Sequence, residues 1–310
     1  MIKDLEKQIK ELNSQIDEFI KIDDEKLKEN LINEVKARRR DILKEASKNI
    51  SAYDRVYLAR HKNRPKTKDY IHYLFNNVIE FKGDRLFRDD KSIIGGIATY
   101  HGVPVTFIGI SKGKDTKENI EMNFGMASPE GYRKAIRLMK QADKFNRPVI
   151  TFIDTPGAYP GIGAEERGQG EAIAKSIMTM TSLKVPVIAI ITGEGGSGGA
   201  LALAVGNKVI MMENAIYSIL SPEGFSSILW KDSSKAEEAT DYMKLTSYDL
   251  LEMKIIDGII QEDLSFDEED FEDNFKRLDM VLKEELSNLL KFTRKELQEN
   301  RTKKFRAYGV

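Results

Sequence analysis

Apolar residues near the start of the chain fall at Ile2, Leu5, Ile9, Leu12, Ile16 and Phe19, in steps of three and four. That spacing lays one apolar stripe along a helix and predicts packing against another helix. A second helix is predicted from Lys26 to Ala46, with Leu27, Leu31, Val35, Ile42 and Leu43 on its packing side. Together they predict a helical hairpin that docks on the chain's own body or on another subunit. Arg38-Arg39-Arg40 reads as a solvated helix face rather than a phosphate site.

Further along, the period changes. Ser92–Tyr100 and Val103–Ile110 read as two strands joined by a turn at His101-Gly102. Ser128-Pro129-Glu130 has the cap, proline and acid of a helix start, and that helix is predicted to run to Phe145. Buried strands are predicted at Pro148–Ile153 and Pro186–Ile191, with a helix within Gly163–Leu183 and a short one at Gly199–Val205. Lys208–Met212, Ala215–Leu220 and Ile255–Ile260 read as strands, with helices over Gly224–Trp230, Lys235–Lys244 and Tyr248–Met253. Near-continuous apolar strands alternating with helices predict a largely parallel, buried sheet. The tail is acidic from Asp267 and then helical, with Leu278, Val281, Leu282, Leu286, Leu289 and Leu290 at helical spacing.

Glycine and proline mark the same divisions. No glycine precedes Gly83, none lies between Gly258 and Gly309, and every proline falls between Pro65 and Pro222. The expected organisation is a helical region over 1–64, an α/β core over 65–263 and a helical tail over 264–310. Charged residues make up 32% but nearly cancel, leaving a formal net charge of −1, so nothing calls for nucleic acid or a membrane surface as partner. With no cysteine, disulfides and thiolate zinc sites are excluded. The charged first residues lack the apolar run of a signal peptide, and no stretch approaches the ~20 apolar residues of a membrane span. A cytoplasmic location is expected.

Two glycine-rich segments carry the chemistry. Asp154-Thr155-Pro156-Gly157-Ala158-Tyr159-Pro160-Gly161 follows one buried strand, and Gly193-Glu194-Gly195-Gly196-Ser197-Gly198-Gly199 follows the next. Ligands of parallel α/β folds sit at the carboxyl ends of strands, and a helix start offers unpaired N–H groups. Glycine lets an oxygen approach those amides without a Cβ in the way, as an oxyanion hole requires. The competing explanation is tight strand–helix packing.

Three other readings meet specific objections. Gly195-Gly196-Ser197-Gly198-Gly199 matches G-x-S-x-G, but a serine hydrolase of that order needs a later histidine, and His61, His72 and His101 all come before. The same stretch matches G-x-G-x-x-G with Glu213 following, as in dinucleotide sites, but the helix after it is very short and the other glycine segment would have no role. Asp154-Thr155-Pro156-Gly157 has the form of a GTPase switch, but no P-loop accompanies it.

At these segments the sequence closely resembles the alpha subunit of bacterial multi-subunit acetyl-CoA carboxylase carboxyltransferase. The resemblance rests on ITFIDTPGAYPGIGAEERGQGEAIA (150–174), ITGEGGSGGALALAVGNKV (191–209) and YSILSPEGFSSILWKD (217–232). NFGMASPEGYRKAIRLM (123–139), GDRLFRDDKSIIGGIA (83–98) and LARHKNRP (58–65) extend it over most of the chain. It implies an α/β fold of the crotonase-like type, a β-β-α spiral core, with an N-terminal helical hairpin and C-terminal helices.

The resemblance also implies an activity: transfer of the carboxyl group from carboxybiotin, held on a biotinyl carrier protein, to acetyl-CoA, giving malonyl-CoA for fatty acid synthesis. Biotin is then carried on a partner and not bound covalently here, its ring nitrogen removes the acetyl proton, and no metal is expected in this chain. The implied oxyanion hole uses the backbone N–H groups of Gly196, Gly198 and Gly199, faced by those of Gly157 and Ala158. Gly195, Ser197, Tyr159, Pro160 and Gly161 are expected to line the substrate, with Ser197 not a nucleophile. Glu194, Glu165 and Arg167 read first as structural, and Lys112, Lys114 and Lys117 as a solvated basic turn. The implied partners are a carboxyltransferase beta subunit carrying a zinc ribbon and the CoA site, the carrier protein, and biotin carboxylase in a larger ATP-dependent complex, with an α2β2 core. The alternative is a stand-alone crotonase-type enzyme acting on a CoA thioester, a hydratase or decarboxylase, which would need no partner.

Overall fold

The structure, a computed structural model, describes residues 2–267 and 271–309. Residues 268–270 of the expected acidic run lie outside the described residues.

Helices α1 (Ile2–Phe19) and α2 (Glu25–Ala46) form the expected hairpin, with Asp24 capping α2 by accepting the N–H groups of Lys26 and Leu27. The hairpin docks on the chain's own body. Ile2, Ile9, Leu12, Val35 and Leu43 share one buried cluster with Leu58, Leu264 and Phe266. Leu58 belongs to α3 (Ala52–Arg60), which begins with a reciprocal Ser51–Asp54 capping box. Leu27, expected on the packing side, is exposed, as is Ile20. Both lie at the closed end of the hairpin, beyond the body's reach. Within the arginine run Arg39 is engaged, bonding Asn13 at 3.0 Å and Asp267 at 3.1 Å. It fastens the hairpin to the chain that follows the core.

After α4 (Thr67–Leu74) comes β1 (Asn76–Glu80), a strand that sequence patterning did not anticipate. All five of its residues are exposed, so it carries no apolar alternation; it is an antiparallel edge against β2 (Ile93–Tyr100). Strands β2 and β3 (Val103–Ile110) form the expected hairpin, with left-handed His101 and Gly102 at the turn. From β3 the sheet becomes parallel through β4 (Val149–Thr155), β5 (Val187–Gly196), β6 (Lys208–Met212) and β8 (Gly258–Ile260), while β7 (Ile216–Ser218) adds to the far end of β5. Every residue of β4 is buried, as a strand covered on both faces requires.

Short α5 (Thr116–Glu121) and then α6 (Pro129–Lys144) connect β3 to β4. The single helix expected between β4 and β5 is two, α7 (Ile162–Glu166) and α8 (Gln169–Ser182), because Gly168 turns left-handed at φ +80°. Helix α9 (Ser197–Ala204) follows β5 directly, and α10 (Pro222–Trp230), α11 (Ala236–Met243) and α12 (Ser247–Glu252) lie between β7 and β8. In the tail, α13 (Glu272–Leu289) buries Leu278, Leu282, Leu286 and Leu289 in the same core as the sheet, whereas Leu290, just past its end, is exposed. Helix α14 (Arg294–Arg306) inserts Arg301, fully buried, against the carbonyls of Met180, Leu183 and Val185 and the Asn207 amide oxygen.

Candidate active site

Strands β3, β4 and β5 end side by side. In the parallel ladder Thr155 lies opposite Gly195, so the two glycine-rich segments leave the sheet as neighbours. They touch. A Cβ on Gly196 would stand 2.1 Å from the Pro156 carbonyl oxygen, and one on Gly199 would stand 2.6 Å from the Gly157 carbonyl carbon and 2.7 Å from the Ala158 nitrogen. No side chain fits there. The two explanations for the glycines therefore divide by position. Gly196 and Gly199 permit backbone-to-backbone packing, while Gly157 and Gly198 face space. At Gly157 nothing lies within 4 Å of a built Cβ, and at Gly198 the nearest atom belongs to Ile173, at 3.5 Å.

Ser197, Gly198 and Gly199 make up the first turn of α9, so their N–H groups have no acceptor within the helix. That end of the helix also carries the positive end of its dipole. Across from it the 155–157 turn closes on itself: the Gly157 N–H donates to the Thr155 hydroxyl at 3.0 Å, and that hydroxyl donates to the Gly157 carbonyl at 2.8 Å. Of the facing pair singled out in the sequence, the Gly157 amide is thus engaged within its own turn.

Tyr159 donates its N–H to the Ala127 carbonyl at 3.1 Å, and the Gln169 side-chain amide donates to both the Ala127 and Tyr159 carbonyls at 2.9 Å. The Tyr159 ring lies over Gly161, and Pro160 is exposed, so residues 159–161 form a fastened rim. Gly195, expected to line the substrate, is instead buried within β5 beneath the Tyr217 ring. The reason is that β5 continues through Gly196 and pairs there with β7, a stretch the sequence presented as loop.

Ser197 is exposed and left-handed, at φ +51°. No histidine serves it. His61 lies 3.4 Å from Glu6, His101 pairs with Asp279 at 2.9 Å, and His72 is an exposed residue of α4. Among the described residues no group of three or more histidines or carboxylates is placed to hold a metal ion.

Beneath the glycine turns runs a chain of charges, buried at Asp154 and Glu194 and reaching the surface at Arg60, that sequence reading did not connect. Lys112, just past β3, reaches Asp154 at 3.0 Å and Glu194 at 2.5 Å. Glu194 also meets Arg60 of α3 at 2.6 Å, and Arg60 meets Glu223 of α10 at 2.7 Å. Lys112 is therefore no part of a solvated basic turn, although Lys114, paired with Asp69 at 2.9 Å, stays near the surface. Burial disfavours the Lys112 charge, but the Asp154 and Glu194 carboxylates more than offset it and hold the ammonium above the usual lysine value. Burial likewise works against Glu194, and Lys112 and Arg60 overcome it, holding the carboxyl below its usual value. Glu165 is exposed, while Arg167 pairs with buried Glu130, a structural contact. The sequence signal was faint: lysine and acid just past strand ends, far apart along the chain.

A sequence model of the family described as acetyl co-enzyme A carboxylase carboxyltransferase-like matches residues 2–309. An acetyl-coenzyme A carboxylase carboxyl transferase subunit alpha from Bacillus velezensis is 57% identical over 86% of this chain and 82% of its own length. The protein of the same name from Listeria monocytogenes is 50% identical over 99% of this chain and 97% of its own. Among solved structures, a Pseudomonas malonate decarboxylase hetero-tetramer chain matches with a TM-score of 0.58 at 16% identity, over 69% of this chain and 85% of that one. A transcarboxylase 12S chain matches with a TM-score of 0.57 at 16% identity over 73% of this chain, which spans 42% of that longer one. These likenesses show the fold, a crotonase-like spiral. By sequence, the chain belongs to the acetyl-CoA carboxylase carboxyltransferase family, as an alpha subunit.

Proposed function

We propose that this chain supplies one amide-lined half of a carboxyltransferase site that makes malonyl-CoA from acetyl-CoA for fatty acid synthesis. Family membership supports the reaction, and the first turn of α9 supports the way this chain takes part. There the N–H groups of Gly198 and Gly199 lack helical acceptors, and the space over Gly157 and Gly198 is open. That cradle suits the ureido oxygen of biotin: it offers backbone donors with no Cβ wall, and Ile173 supplies an apolar flank. Biotin, when bound on its carrier protein, brings the carboxyl group and a ring nitrogen able to take the acetyl proton.

The residues of this chain bind and orient. Gly198 and Gly199 present donors to the oxygen that gains charge, and Gly196 holds their turn against Pro156. Ala158 faces them, and Tyr159, Pro160 and Gly161 form the rim. Fixed donors of this kind need no reorganisation as charge develops. Ser197 plays no nucleophilic part, since no base serves it.

The partners that go with this reading are a beta subunit with the zinc ribbon and CoA site, the biotinyl carrier protein and biotin carboxylase, around an α2β2 core in the cytosol. Among the described residues no helix is long and apolar enough to cross a membrane. The test is malonyl-CoA-dependent carboxylation of free biotin, the reverse reaction, by this chain with and without its beta partner. Activity confined to the mixture supports a shared site. Activity of the chain alone would replace this reading with a stand-alone CoA-thioester enzyme.

A further inference from the structure

One side chain reaches the base of both glycine turns. Lys112 stands between Asp154, from which the 155–161 turn departs, and Glu194, from which the 195–199 turn departs. Asp154 Oδ1 also accepts the Glu194 N–H at 3.0 Å, and a Cβ on Gly193 would lie 2.5 Å from that same oxygen. Two carboxylates thus sit near the ends of neighbouring strands inside the protein, where like charges repel strongly unless a cation lies between them.

A second set of contacts converges on the same lysine. Asn123, Phe124 and Gly125 are consecutively left-handed, at φ +46°, +55° and +79°. Such a run is costly for residues with side chains and persists only where surroundings enforce it. It folds over the Lys112 stem: a Cβ on Gly125 would lie 2.9 Å from Lys112 Cγ and 3.1 Å from the Asp154 carbonyl oxygen. Two residues on, the Ala127 carbonyl accepts the Tyr159 N–H and so fastens the rim of the first turn. The Lys112 ammonium fixes the strand ends, and its stem supports the segment that ties down the rim.

We propose that Lys112 is a positioning residue for this carboxyltransferase, setting the separation of the two amide-bearing turns without touching the reacting groups. The proposal rests on the amide-site reading above. Its removal takes away the cation that contacts both Asp154 and Glu194, leaving Arg60 against Glu194 alone, and the turns move apart. A misplacement of about 1 Å at a preorganised site costs on the order of a hundredfold in rate. Replacing Glu194 by glutamine as well removes the repulsion, so Lys112→Met combined with Glu194→Gln recovers much of what Lys112→Met alone loses.

The experiment uses the complex with the beta subunit and has two readouts. One is kcat and KM in the biotin carboxylation assay. The other is hydrogen exchange of peptides covering 154–161 and 193–199, measured without biotin. For Lys112→Met the expected result is a kcat lower by about a hundredfold, an unchanged malonyl-CoA KM, and faster exchange in those two peptides but not in α6. In the double variant both readouts return most of the way. If Lys112→Met does not assemble, the double variant carries the test, with near-native exchange and kcat expected. Wild-type kcat in assembled Lys112→Met would overturn the proposal. So would a raised malonyl-CoA KM at unchanged kcat, which would make Lys112 a contact for CoA phosphates, or a double variant as impaired as the single. Gly198→Val, assayed in parallel, tests the underlying reading: normal turnover there moves the amide site elsewhere, whatever Lys112 does.

Discussion

The α-carbon of Gly196 lies so close to Pro156 that any side chain there would meet the Pro156 carbonyl oxygen at 2.1 Å. The obstacle is backbone, which no rotamer change can clear. Gly196→Ala is therefore expected to lower stability by about 1–3 kcal/mol and to separate the two turns. Denaturant titration measures the first effect, and biotin carboxylation by the surviving folded complex measures the second.

Gly198 behaves oppositely. Its built Cβ meets only Ile173, at an ordinary 3.5 Å. Gly198→Val is expected to fold and assemble almost normally while losing about 10²–10³-fold in kcat, the typical effect of disabling one oxyanion donor. Comparing sedimentation of the assembled complex with its turnover separates the two. Equal losses in both would assign Gly198 to packing, like Gly196.

The docking of the N-terminal hairpin should depend on acidity. Burial works against the Glu6 carboxylate, but hydrogen bonds from Lys10, Tyr57 and His61 bring its pKa down to about 2. Its folded value is below its unfolded one, so its contribution is complete above about pH 4.5 and is lost as pH falls towards the folded value. Glu6→Gln should melt below the wild type at neutral pH, and the gap should close through that acidic window. A gap independent of pH would show that the carboxylate's charge does not matter.

Arg301 is fully buried and serves three carbonyls and the Asn207 side chain, with no carboxylate among these four acceptors. Arg301→Met keeps the apolar stem and strands those acceptors. The expected loss is about 3 kcal/mol or more, visible as a lower denaturation midpoint. Because Arg301 holds the last turn of α8, at Met180 and Leu183, and not its start over 169–173 beside the glycine turns, kcat of the folded fraction should stay near normal.

How much of this was readable beforehand depended on whether the physics was local. The Ile2-to-Phe19 stripe, the β2–β3 hairpin and the apolar strands at 149 and 187 follow from periodicity within one segment, and the structure has all of them. Strand β1 was invisible because its residues face solvent and carry no alternation. The reach of β5 through Gly196 was invisible because its partner, β7, lies twenty residues on, and glycine reads as loop until a neighbouring strand supplies hydrogen bonds. At the site, glycine content located the two turns, but which glycines pack and which face open space was decided by atoms of the other turn. The Lys112–Asp154–Glu194 arrangement joins three strand ends, and only the order of strands in the sheet brings them together.

Because β5 does not stop where the glycines begin, the amide-bearing turn is a sheet element before it is a loop. Its hydrogen bonds to Tyr217 and its neighbours, the carbonyl of Pro156 beneath it and the lysine from a third strand all take part in shaping it. Transplanting Gly193 to Gly199 onto another α/β scaffold would carry over the motif without the geometry. The smallest portable unit is three parallel strand ends with the short β7 beside them, so moving this site to another protein means moving a slab of sheet and not a loop.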